Sequence, residues 1–199
     1  MKSLIKGLNE ILYDNSFRKR DDFNTSVIMS KNENAMIFSG IENKMGKKIK
    51  LIKKLYQASI DGGDSINFHL KCDYIPNTLV LIKSEGNRRF GGFTPIPWKS
   101  NGECLKDNEN KTFLFSLDNK KIYYLRSGCI AVYHYKEKGP CFGKGHDIGI
   151  EGNPIKENKL YTYQSSFDYK GDKQPLSECQ QYPNFLKALE YEVLQIIFY

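Results

Sequence analysis

Apolar residues recur at Leu4, Ile5, Leu8, Ile11 and Leu12, a spacing that puts one apolar stripe on a helix over 1–13. The polar stretch 14–24 reads as a linker, so residues 1–24 are expected to be a helical extension and 25–199 the domain. Val27–Met29 suits a short strand. Residues 31–41 carry Ala35, Met36, Ile37, Phe38 and Ile41 and predict a helix that stops near Gly46. Ile49, Ile52, Leu55 and Tyr56 have helical spacing, yet 53–59 fit a strand equally well, and the pattern leaves both open. Asp61-Gly62-Gly63 marks a turn. Asp64 or Ser65 can cap a short helix whose Ile66, Phe68 and Leu70 face the core.

From Thr78 the pattern becomes that of strands. The apolar run 79–83, the turn Glu85-Gly86-Asn87 and the segment 90–96 predict a hairpin, closed by Pro95 and Pro97. A polar loop is expected over 100–111. Further strands are expected over 112–117, 122–125, 129–135 and 148–150, then over 160–169 with a break and over 185–199, with a loop at 176–183. Short strands joined by turns and preceded by helices predict an α+β, mainly β fold, a two-layer antiparallel β-sandwich with peripheral N-terminal helices.

Composition narrows the class. In 199 residues, 40 % are hydrophobic and 13 % aromatic, enough for a core and against wholesale disorder. No apolar run approaches the ~20 residues of a membrane-spanning helix. Residues 1–12 are interrupted by Lys6, Asn9 and Glu10 and lack a small-residue cleavage site, so no secretory signal is read. A cytoplasmic protein is the expectation, reaching organelle membranes only through a partner or within a larger assembly.

The net charge is +7, from 30 basic and 23 acidic residues. It gathers in Lys44, Lys47, Lys48, Lys50, Lys53 and Lys54, a run without an acid that suggests a basic patch for an acidic partner. Only five basic residues are Arg, whose planar fork serves base and phosphate reading better than Lys, which argues against nucleic acid. Five cysteines at wide spacing, without C-x-x-C, read as free thiols. His69 and Cys72 form H-x-x-C, and His146 precedes Asp147. These four make a zinc site only if the fold joins them, and no metal or other cofactor is expected.

Several short segments then point one way. Leu55–Gly62 (LYQASIDG), Phe68–Asp73 (FHLKCD), Thr78–Ser84 (TLVLIKS), Phe90–Phe93 (FGGF) with Trp98, Thr112–Leu117 (TFLFSL), Gly139–Ile148 (GPCFGKGHDI) and Tyr191–Leu194 (YEVL) resemble, in order, the signatures of the TLDc family, the domain of the oxidation-resistance proteins. Lys144 stands where the family usually has the middle glycine of a triplet, and Phe167 follows Ser165-Ser166 where many members have Ser-Tyr. The resemblance implies two packed antiparallel sheets with peripheral helices and no established catalytic centre. It also implies a non-catalytic binding module in oxidative-stress protection. For several members it implies docking on the soluble-sector subunits of the vacuolar proton-pumping ATPase.

The candidate binding residues are Gly91, Gly92, Trp98, Gly143, Lys144, Gly145, His146, Asp147 and Glu192. Gly91 and Gly92 let a neighbour lie close. Trp98 is either a core plug or an exposed anchor. Gly143 and Gly145 form either an anion nest or a tight turn that aims His146 and Asp147; no phosphate-binding P-loop sequence is present. Glu190 and Glu192 share one face of the last strand, read as solvated or as a surface for basic groups. A thiol enzyme, pairing Cys72 or Cys141 with His69 or His146 and with Asp147 orienting the ring, is the catalytic alternative. A structural accessory subunit, held in its assembly by 1–24 and 44–54, is the other.

Overall fold

The helix α1, Asn34–Met45, opens the regular structure of the computed structural model, which describes residues 26–173, 175–177 and 185–199. The expected 1–13 helix and 14–24 linker lie outside the described residues, as does most of the 176–183 loop. Gly46 ends α1 with φ +64°, its amide donating to the Glu42 carbonyl, a left-handed cap that glycine adopts without a Cβ penalty. Residues 27–29 form bends rather than the expected strand. They are fixed instead through Ser26, whose hydroxyl accepts from the amides of Ile28 and Met29.

The undecided segment is a strand, β1, Ile49–Gln57. Its pairing with β11, Ala188–Phe198, is offset between Ile49 and Leu51 and again between Lys54 and Tyr56. Such offsets break the period of two, which is why the apolar spacing mimics a helix. Two short helices follow, α2 (Ala58–Asp61) and α3 (Ser65–Cys72). The buried face of α3 is Phe68, His69 and Cys72, while Ile66 and Leu70 are 64 % and 79 % exposed, a correction to the expected core face. Two four-residue stripes compete on this helix, and the one carrying the phenylalanine ring and the His69 hydrogen bonds is buried.

The remaining strands are β2 (Thr78–Ser84), β3 (Arg89–Thr94), β4 (Cys104–Lys106), β5 (Phe113–Ser116), β6 (Lys121–Tyr124), β7 (Ile130–Tyr133), β8 (Lys138–Phe142), β9 (Ile148–Glu151) and β10 (Leu160–Tyr161). They form two antiparallel sheets, ordered β1-β11-β2-β3-β5-β6 and β10-β9-β8-β7-β4. The expected loop at 100–111 thus contributes an edge strand. The expected strand over 160–169 shrinks to two residues, because the chain beyond Tyr161 turns to wrap Asp147; only Phe167 pairs again, with Leu125.

One core lies between the sheets: Tyr56, Val80, Ile82, Phe90, Leu114, Tyr191 and Val193 from the first meet Val132, Phe142, Ile148, Ile150 and Leu160 from the second. A second core lies on the outer face of the six-stranded sheet, where α1 and residues 28–29 cover Leu79, Leu81, Phe93, Phe113, Phe115 and Leu194. Strands β2 and β3 are therefore buried on both faces, which explains the unbroken apolar run 79–82.

Candidate functional site

Gly91 and Gly92 lie inside β3. A Cβ on Gly91 collides with the Val80 carbonyl, while one on Gly92 meets Leu114 at 2.7 Å and the Phe142 ring at 2.8 Å. Gly92 thus leaves the recess into which Phe142 inserts from the opposite sheet. Trp98 is 1 % exposed. It packs edge-on against Phe142 and Phe68, with centroids 5.4 and 5.7 Å away, and donates from Nε1 to Thr78 Oγ1 at 2.9 Å. It is a core plug with its polar atom satisfied, not an exposed anchor. These three residues build the body rather than its surface.

In the loop between β8 and β9, Gly143 and Gly145 take φ +78° and +80°, and His146 takes φ +65°. Lys144 has no such requirement, so the departure from glycine falls at a triplet position that any residue tolerates, with its side chain exposed. The loop is a tight turn, not an open anion nest. The Gly143 amide donates to Ala131 O, the Lys144 amide to Ser166 Oγ, and the His146 amide to Gly143 O. It also holds its own carboxylate: Asp147 Oδ1 accepts from the Ser165 and Ser166 amides at 2.9 and 3.0 Å and from the Tyr169 hydroxyl at 2.9 Å. Burial raises the Asp147 carboxyl above its usual range against the pull of those donors. Asp147 therefore pins the 165–169 segment and does not orient His146.

The described thiols and imidazoles do not pair. Among the described residues no cysteine hydrogen-bonds a histidine. Burial pushes the Cys72 thiol far above its ordinary range and the Cys141 thiol up to about 12, so neither is a thiolate near neutrality. His69 Nδ1 meets Asp73 Oδ1 at 2.8 Å, and Nε2 meets the carbonyls of Lys138 and Tyr135 at 2.8 and 3.0 Å; the ring ties α3 to the β7–β8 turn. Among the described residues no group of three His, Cys, Asp or Glu side chains is placed to hold a metal.

Glu192 is fully buried and Glu190 nearly so, which corrects the expected solvated face. Glu192 accepts from Lys54 Nζ at 2.5 Å, from Ser26 Oγ at 2.6 Å and from the Val27 amide at 3.2 Å. Glu190 accepts from Gln57, from the Ser59 amide and from the Ser59 hydroxyl. The run of lysines is not one patch. Lys54 turns to Glu192, Lys44 donates to Asn110 O and lies 4.5 Å from the Tyr124 ring centroid, and Lys48 pairs with Glu42. Lys47, Lys48 and Lys50 are exposed beside or on the edge strand β1, where lysine discourages edge-to-edge pairing.

His146 turns its ring to a sizeable opening. A cleft of about 480 Å³ is lined by Lys138, Gly145, His146, Glu151, Tyr161 and Tyr163. His146 Nδ1 lies 2.5 Å from the Tyr161 hydroxyl, which accepts from Lys138 Nζ at 3.1 Å; Lys138 pairs with Glu151 Oε1 at 2.6 Å. Tyr133 and Tyr135, stacked at 5.3 Å, both meet the His146 ring edge to face. Burial, helped by the Lys138 charge, lowers His146 to about 4, so its ring is neutral at pH 7. Lys138, Glu151, Tyr161 and Tyr163 escape sequence reasoning because they come from three strands and a following loop; the faint signal is the aromatic-polar alternation of 160–163.

Fold and site together define a β-sandwich domain whose signature residues mostly serve its interior. The TLDc domain family matches residues 23–197, nearly the whole chain, and the chain belongs to that family. A comparison with curated proteins gives no significant match. No helix among the described residues is long and apolar enough to cross a membrane.

Proposed function

We propose that this TLDc domain is a non-catalytic binding module that docks on the soluble-sector subunits of the vacuolar proton-pumping ATPase and contributes to oxidative-stress protection. In this reading residues 1–24 are an extension of a domain formed by 25–199, and any membrane association runs through the partner. The observation that carries the non-catalytic part is the fate of the nucleophile candidates: Cys72 and Cys141 are buried and held protonated, without a histidine partner. Family membership supports the docking part. A rigid sandwich that binds one arrangement of a large assembly better than another shifts that assembly's population by its differential affinity. The test is co-purification of the full chain with the ATPase soluble-sector subunits at low salt. Stoichiometric recovery is expected; failure with a folded protein overturns the docking.

A further inference from the structure

We propose that the cleft between Lys138, His146 and Tyr161 is a recognition pocket for a carboxylate, taking an Asp or Glu side chain of a partner polypeptide, with Glu151 as its resident stand-in. This rests on the reading of the domain as a docking module and names the chemistry of what it grips.

The hydrogen-bond pattern fixes which donors remain. A lysine ammonium only donates, so the Tyr161 oxygen accepts from Lys138. The single phenolic proton then goes to His146 Nδ1 at 2.5 Å rather than to Glu151 at 3.3 Å. With Nδ1 an acceptor and the ring neutral, the ring proton sits on Nε2. That N–H has no partner among the described residues and belongs to a ring lining the cleft. The donor set is thus one imidazole N–H and one ammonium.

Glu151 shows what this set accepts. Its carboxylate lies 2.6 Å from Lys138 Nζ and is 29 % exposed. Burial would raise its pKa, but the Lys138 hydrogen bond and charge outweigh that and hold it below the usual range. Lys159 adds positive potential at the same point, and Lys144 is exposed on the adjoining loop. A cationic ligand is disfavoured, because the Lys138 ammonium already sits 5.6 Å from the Tyr135 and Tyr161 ring centroids. A doubly charged phosphate needs more cations than one lysine already shared with an acid. The volume, about 480 Å³, lies within the range of ligand pockets, and the exposed Tyr163 ring offers apolar surface for a residue flanking the acid.

The probe is an N-acetylated, C-amidated Gly-Glu-Tyr-Glu-Gly peptide, with its Gln-for-Glu counterpart and a phosphoserine-for-Glu version as controls, titrated into the full chain. The readout is the His146 ring resonances. The Glu peptide is expected to move them and the Gln peptide not. Lys138→Met should weaken binding by about tenfold or more, the usual size for losing a charge-assisted hydrogen bond. Glu151→Gln should strengthen it several-fold by removing the internal competitor, and the folded state of both variants is read from their amide spectra. Equal response to the Glu and Gln peptides, weaker binding by Glu151→Gln, or a preference for the phosphoserine peptide overturns the proposal. Co-purification with the ATPase subunits is scored separately. Docking that survives Lys138→Met refutes the pocket as its grip and leaves docking standing, whereas selective peptide binding without docking does the reverse.

Discussion

The Asp147 carboxylate fills the space that a side chain on residue 143 would need. Gly143 also holds φ +78°, so two independent constraints demand glycine there. Gly143→Ala is expected to destabilise the domain by displacing the carboxylate from the Ser165, Ser166 and Phe167 amides and the Tyr169 hydroxyl. Asp147→Ala, which leaves those donors without an acceptor, should cost about 3 kcal/mol or more, and Asp147→Asn less. Urea unfolding midpoints decide the order.

The glycine pair in β3 predicts an unequal response. At Gly91 the obstacle is the Val80 backbone, which cannot turn aside; at Gly92 it is the Leu114 and Phe142 side chains. Gly92→Ala should cost about 1–3 kcal/mol, typical of overpacking, and Gly91→Ala distinctly more. Equal midpoints for the two variants would refute this account.

Glu192 joins the chain before α1 to the β1–β11 edge. Glu192→Ala removes the acceptor for Lys54, Ser26 and the Val27 amide, leaving the Lys54 ammonium without its counter-charge and held only by Gln57 Oε1. A loss of about 2–4 kcal/mol is expected. The Val27, Ile28 and Met29 amides should exchange with solvent faster well before β2 and β3 do, as hydrogen exchange can show.

Thiol labelling should be selective. Cys72 and Cys141 are buried while Cys104 is exposed, and burial raises both buried thiols. In the native protein at pH 8, a disulfide reagent should modify Cys104 readily and leave Cys72 and Cys141 intact until denaturant is added. Peptide mapping locates the label, and early labelling of Cys72 would reopen thiol chemistry.

Acid should weaken the fold in a window set by two histidines. His146 falls from 6.5 to about 4 through burial and the Lys138 charge, and burial also lowers His134, whose two ring nitrogens are buried without a partner among the described residues. At these two rings the unfolded chain binds more protons than the folded one, for His146 between pH 6.5 and about 4, so their contribution to stability falls as pH drops below 6.5, opposed only by the raised Asp147 carboxyl. His134→Phe keeps a ring beside Trp98 and removes one titrating group. It should fold and show a shallower pH slope, measured by unfolding at pH 7, 6 and 5.

Much of the architecture was legible. The hairpin at 79–94, the pairs at 113–124, the terminal strand and the helix ending at Gly46 all follow from local chemistry: β-rich apolar runs, turn residues and a glycine stop. The edge strand Cys104–Lys106 was not legible, since three half-polar residues carry no period and pair only because β7 lies beside them. The face of α3 was ambiguous because both of its stripes have helical spacing.

The sequence by itself determined the family, through its ordered signatures, and the two-layer β class, because alternation, turns and unbroken apolar runs are local properties. Only the tertiary structure decided what the signature residues do. Burial is a sum over distant neighbours: Glu192 is silent about Ser26, 166 residues away, and Asp147 about Tyr169 until the loops close. The same closure sent the Asp147 carboxylate inward to the 165–169 amides and turned the adjacent His146 toward Tyr161 and an open cleft.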